Sequence, residues 1–220
     1  MGAKSVSAVQ VKTGDPAPPP VVSSDCVKLD ARNQERREAL SEASNDQSIV
    51  GPGHSGKGTT MSSCSSSTGG RPSIGSAHSN QKAYEKLPNG LKSGAAANQS
   101  EGDRKRVRNG TKATTCGHVH PDPASQKSGH AEARLLDSMS GGALPSKITF
   151  NIDWRKGAGG TSKMPCKTCH EYLCKVSKDC DVEILLCDRN NVAHPVPCPA
   201  SRKNRKALKK KLDARRRSPH

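Results

Sequence analysis

Three of the four aromatic residues, Phe150, Trp154 and Tyr172, fall within 23 consecutive positions, and six of the nine cysteines lie between Cys166 and Cys198. Large apolar side chains supply most of the area that a core removes from water, so a chain this poor in them can build a core only where they gather. With 31% hydrophobic residues, 20 Gly and 15 Pro in 220 residues, the chain cannot bury a core along its whole length. The expected layout is a long disordered, linker-like region over residues 1–100, a folded domain over 101–198 whose core is 126–198, and a basic tail over 199–220.

The first hundred residues support that layout by composition. VKTGDPAPPPVV is a Pro-rich extended segment, and MSSCSSSTGGRPSIGSAHS is a Ser/Gly tract with little apolar area. DARNQERREALSEAS can form one short polar helix, with Leu40 and little else to dock it. GPGHSGKGTT, residues 51–60, imitates a phosphate-binding loop, but such a loop leaves a buried strand and opens a helix, and neither flank here offers one. RKRVRNGTKATT has an Asn-Gly step that suits a hairpin, and CGHVH, residues 116–120, groups a Cys with two His in a polar setting.

Regular signals begin near Ser128. SGHAEARLLDSM reads as a helix with Ala131, Leu135, Leu136 and Met139 on one face. KITFNIDW reads as a strand with Ile148, Phe150 and Ile152 on one side and Thr149, Asn151 and Asp153 on the other. A Gly-rich loop, RKGAGGTSK, leads to a second helix, PCKTCHEYLCKVS, with Pro165 in its first turn. DVEILLC and VAHPVPC follow as strands joined so closely that they must be antiparallel. Helix, strand, helix, strand, strand is an α/β order, with both helices on one sheet face.

The pair Cys166 and Cys169 in MPCKTCHEYLC admits three chemistries: a c-type haem attachment, a structural zinc knuckle drawing on His170, Cys174, Cys180, Cys187 or Cys198, and half of a catalytic zinc site. An odd cysteine count, C-x-x-C spacing and the absence of an apolar signal-peptide core favour thiols kept reduced or on metal over a disulfide framework.

Together, His130-Ala131-Glu132 and Pro165-Cys166-Lys167-Thr168-Cys169, with a strand between them, resemble the cytidine deaminase-like superfamily, whose signature is H-x-E and P-C-x-x-C on consecutive helices. The resemblance covers about residues 126–198 and looks nearest to the bacterial polymorphic-toxin deaminases. It implies a small three-layer or two-layer α/β sandwich with a mixed sheet and an antiparallel last pair. It also implies Zn2+ held by His130, Cys166 and Cys169, with Glu132 as the catalytic proton carrier in hydrolytic deamination, cytosine ahead of adenine. The superfamily places two strands before the H-x-E helix, and RKRVRNGTKATT is the one candidate this sequence offers for them.

Charge bears on the substrate. Residues 199–220 carry ten Lys and Arg against one Asp, more than half of the net +16. Such a run suits a phosphate backbone, and the expected partner is nucleic acid, DNA ahead of RNA, in single or double strands. Candidate contacts are Trp154, Arg155, Lys156 and Lys163 beside the cysteine helix, with Arg202, Lys203, Arg205, Lys206, Lys209, Lys210 and Lys211 in the tail. A toxin of this kind is secreted or delivered into a target cell and implies a neutralising immunity protein. The alternative is an intracellular or nuclear non-catalytic zinc module that binds nucleic acid through its basic arm. No apolar stretch is long enough to span a membrane.

Overall fold

A computed structural model describes residues 21–43, 61–68, 71–78, 87–92, 130–139, 145–156 and 160–214. In chain order the elements are α1 (Ser24–Ala43), β1 (Met61–Thr68), β2 (Arg71–His78), α2 (Asn89–Lys92), α3 (Ala131–Ser138), β3 (Lys147–Lys156), β4 (Gly160–Ser162), α4 (Lys167–Asp179), β5 (Glu183–Cys187), β6 (Ala193–Pro195) and α5 (Arg202–Leu212). The phosphate-loop imitation at 51–60, the hairpin candidate at 104–115 and the CGHVH cluster lie outside the described residues.

The sheet runs β2-β1-β3-β5-β6, with β4 folded back on β3 from Trp154↔Ser162 to Lys156↔Gly160. It is mixed: β3 and β5 are parallel across α4, and β5 and β6 are antiparallel, as the short connection demands. The α/β class and the antiparallel last pair agree with the sequence reading.

Ile148, Phe150 and Ile152 of β3 face one apolar core shared with Leu135 and Leu136 of α3, Tyr172 and Leu173 of α4, Ile184 and Leu186 of β5, and Leu208 and Leu212 of α5. The two motif helices therefore lie on one sheet face.

Four elements, α1, β1, β2 and α2, lie in the linker-like region; a polar helix is expected there, and the two strands in the Ser/Gly tract correct the reading for that tract. β1 and β2 form a hairpin registered from Met61↔His78 to Thr68↔Arg71, and β1 pairs antiparallel with β3. Serines suffice because each strand gains its backbone ladder and sits on a sheet whose core is supplied by others; Ser62 and Ser65 are buried in it.

α1 covers the opposite sheet face. Ser23 opens it, its hydroxyl accepting from the Cys26 N–H at 3.4 Å. The buried stripe of α1 is Cys26, Leu29, Asn33, Arg36 and Arg37, helical in period but mostly polar. Its partners are the polar side of β3: Asn33 Nδ2 donates to the Asn151 carbonyl at 3.0 Å, and Arg37 Nε donates to Asp153 Oδ2 at 2.6 Å. Helices thus pack on both faces of the sheet.

Disulfides replace the reduced thiols expected from the sequence. Cys26 bonds Cys187, 161 positions away, and Cys174 bonds Cys198, each with a Cα–Cα separation of 5.5 Å. Packing α1 across the sheet brings Cys26 over the end of β5, a proximity that cysteine spacing cannot reveal. Cys180 is disulfide-bonded as well.

The basic tail is also partly a docked helix. Ser201 caps α5, its Oγ accepting from the Asn204 N–H at 3.2 Å, and Leu208 and Leu212 enter the core.

Candidate metal centre

His130 directly precedes α3, and its carbonyl accepts the Arg134 N–H at 3.0 Å, so it stands at the helix N-cap. Glu132 follows in the first turn. Mid-helix, residues two apart point away from one another; at the N-cap the His130 side chain is released from that constraint, and both reach the same site.

Cys166 caps α4 rather than lying in its first turn. Its backbone is extended (φ −62°, ψ 170°), and its Sγ accepts the Cys169 N–H at 3.3 Å. The sequence reading placed both cysteines within the helix; the sulfur takes the capping role because an anionic acceptor at a helix N-terminus satisfies an orphan N–H and meets the positive end of the dipole. Pro165 therefore precedes the cap.

These two helix starts converge. His130 Nδ1 lies 3.3 Å from Cys169 Sγ and 3.6 Å from Cys166 Sγ, and the three donor atoms lie within 4.8 Å of one another. The group could hold a metal ion, and it is the one such group among the described residues.

The acid–base state of the centre is uneven. A hydrogen bond from the Cys169 thiol, reinforced by His130, pulls Cys166 down to about 4 despite partial burial. Cys169 is held well above 9, chiefly by that same interaction and then by burial. Burial pushes the Glu132 carboxyl above its ordinary 4.5, opposed by a backbone hydrogen bond, with the negative Cys166 raising it further. Glu132 is 3% exposed, and its Oε2 has no hydrogen-bond partner among the described residues.

The other ligands open to a structural zinc knuckle are engaged elsewhere. Cys174, Cys180, Cys187 and Cys198 are in disulfides. His170 is fully buried, its Nε2 2.9 Å from the Pro197 carbonyl and its Nδ1 3.3 Å from Arg205 Nη1. Burial lowers its pKa, which keeps the ring neutral with Nε2–H donating and Nδ1 accepting.

The basic candidates divide. Lys163 is buried, with its Nζ 2.5 Å from Asp30 Oδ1 and 2.8 Å from Asn151 Oδ1, so it ties β3 to α1. Arg205 faces inward, donating to the carbonyls of Pro165 and Cys166. Trp154 is half-buried against the core. The side chains of Arg155 and Lys156 lie outside the described residues. Arg202, Lys203, Lys206, Lys209, Lys210 and Lys211 are exposed on α5, and Lys209 pairs with Asp213. Lys203, Lys206, Lys209 and Lys210 line an open groove.

The inward role of Arg205 was legible in principle: Arg205, Leu208 and Leu212 repeat at i, i+3 and i+7 within a run otherwise basic. Nothing comparable marked Asp30, Asn33 or Arg37, because their stripe is polar. Compared with protein-family models, curated proteins and solved structures, the chain matches none.

Proposed function

We propose that this protein is a zinc-dependent hydrolytic deaminase that converts cytosine to uracil in nucleic acid, with DNA favoured, acting as a delivered toxin or effector domain. One observation carries the reading: a buried carboxyl, Glu132, whose Oε2 has no hydrogen-bond partner among the described residues, beside a group of one imidazole and two sulfurs. A structural site would be closed by a fourth side chain and has no use for such a carboxyl.

The donor set fits the metal. Around tetrahedral zinc, nitrogen and sulfur ligands stand about 3.6 Å apart, and His130 Nδ1 lies 3.3 and 3.6 Å from the two sulfurs. The hairpin β1–β2, from the Ser-rich tract, also supplies two strands ahead of the H-x-E helix, where the superfamily resemblance expects them.

Bound zinc supplies the Lewis acidity that lowers the pKa of a water molecule. Glu132 would do the proton work: it accepts one proton from the water that adds to C4 of cytosine and delivers it to N3, then accepts the second from the new C4 hydroxyl and delivers it to the amino group, which leaves as ammonia while the C4 carbonyl forms. A carboxyl raised by burial suits both steps, because it holds a proton more readily than an exposed glutamate. His130, Cys166 and Cys169 would supply three ligands of a four-coordinate zinc, leaving the fourth position for water.

Two further features favour a delivered enzyme acting on a polymer. The disulfides suit a chain that matures in an oxidising compartment. The exposed lysines of α5 suit contact with phosphates. A delivered toxin would in turn require a neutralising immunity protein where it is made.

The test is Glu132→Ala. Zinc content should stay at the wild-type level while C-to-T conversion in a mixed pool of single- and double-stranded DNA and RNA, read by sequencing, falls at least about 10³-fold. Full activity in the variant, or no base conversion by the zinc-loaded wild type, would remove the enzyme reading.

A further inference from the structure

Pro165 is buried and Cys166 half-buried at the start of α4, and their carbonyls need donors there. The Cys166 carbonyl receives the His170 N–H at 2.9 Å, the first bond of the helix. Arg205, from α5, supplies the rest: its Nη1 lies 3.2 Å from the Cys166 carbonyl, and its Nη2 lies 3.2 Å from the Pro165 carbonyl. Its Nη1 also lies 3.3 Å from His170 Nδ1, and His170 is fixed from its other side by the Pro197 carbonyl.

A planar guanidinium with two parallel donors matches two successive carbonyls, a geometry that an ammonium cannot reproduce. The fork is itself immobilised. Leu208 and Leu212 anchor α5 in the core, Ser201 caps it, and the Cys174–Cys198 disulfide fastens the preceding segment to α4.

We infer that Arg205 is a positioning residue of the metal centre, holding the Pro165–Cys166 backbone so that the Cys166 sulfur stays over the start of α4 beside His130. This rests on the metal-site reading of His130, Cys166 and Cys169, and it gives the basic C-terminal helix a second role besides charge. Only the first bond of the α4 ladder, from the His170 N–H, reaches the Cys166 carbonyl; Arg205 gives that carbonyl a second donor and gives the Pro165 carbonyl one as well. Groups that orient metal ligands typically contribute 10–100-fold to metal affinity.

Cobalt titration of the full-length, disulfide-bonded protein tests this, because thiolate-to-cobalt charge transfer and the ligand-field bands report ligand geometry directly. In the wild type, one Co2+ should bind with a thiolate charge-transfer band. Arg205→Met should weaken Co2+ binding about 10–100-fold and alter the ligand-field bands. Arg205→Lys, which keeps the charge and stem and covers the case of a poorly folding Arg205→Met, should recover only part of the affinity. Leu208→Ala, which loosens the same helix without touching the carbonyls, should lower the melting temperature but keep the affinity and the spectrum. The inference is overturned if both Arg205 variants match the wild type in affinity and spectrum, or if Leu208→Ala weakens binding as much as Arg205→Met does. A wild-type protein that shows no thiolate band overturns the metal-site reading itself, a result distinct from either of those.

Discussion

Glu132 occupies a position that a stability-driven sequence would not give to a carboxylate. It is almost fully buried, and one oxygen lacks a partner among the described residues. Because burial raises its pKa above 4.5, the ionised form is disfavoured in the folded protein relative to the unfolded chain. Stability is therefore lost as the pH rises from about 4.5 through the folded-state pKa, and the loss persists above it. Glu132→Gln should stabilise the metal-free protein at neutral pH, and that gain should vanish below about pH 4. Thermal melts of both proteins across that range check the sign; an equal effect at all pH values would mean that packing, not ionisation, sets the difference. Activity should be lost in the same variant, the usual trade between a strained site and a stable one. At this scale the sequence was informative: His130, Glu132, Cys166 and Cys169 could be named from their motifs, because ligand chemistry restricts residue type and spacing. The capping role of Cys166 could not, since it depends on where the helix starts.

Among the elements, α1 differs most from its sequence appearance. Its inward stripe carries Asn33, Arg36 and Arg37 where an amphipathic helix would carry leucines, so apolar periodicity does not reveal it. What holds it is a polar layer against Asn151, Asp153 and Lys163, together with the Cys26–Cys187 disulfide. Closing so long a loop constrains the unfolded chain by about 5 kcal/mol on the entropic account. Replacing both Cys26 and Cys187 with Ala should cost about that much, read as a lower denaturation midpoint, and reducing the wild-type protein, which also opens the Cys174–Cys198 bond, should cost at least as much. Unchanged stability in the double variant would mean that the polar layer alone secures α1. β3 was legible as a strand because its alternation is strict, yet both of its sides are buried, one by helices with apolar faces and the other by α1.

For the whole molecule, the separation of charge from chemistry is the main feature. α5 turns Arg205, Leu208 and Leu212 inward and keeps Lys203, Lys206 and Lys210 outward. If the outward row grips phosphates, changing Lys203, Lys206 and Lys210 to Glu should lower deamination of a long oligonucleotide at least tenfold while leaving zinc content unchanged. The dependence of binding on salt should weaken by roughly three in log–log slope, about one for each phosphate that a lysine no longer neutralises. Equal activity on free cytidine and on the oligonucleotide in the wild type would argue that the row does not serve the substrate.

The sequence by itself determined the α/β order of residues 130–195, the core face of β3 and the three residues, His130, Cys166 and Cys169, that come together at the candidate centre. Each of these follows from a local rule: period two in a strand, a helical period in an amphipathic helix, and fixed ligand types around a metal. Only the tertiary structure decided that a serine-rich tract extends the sheet, that a polar helix covers its second face, that Cys26 meets Cys187, and that the inward-facing Arg205 meets the carbonyls of Pro165 and Cys166. In each of these cases the partner lies tens of residues or more away, and the side chains involved are polar or small. Their placement depends on which distant donor, acceptor or thiol packing brings within reach, which no local pattern carries.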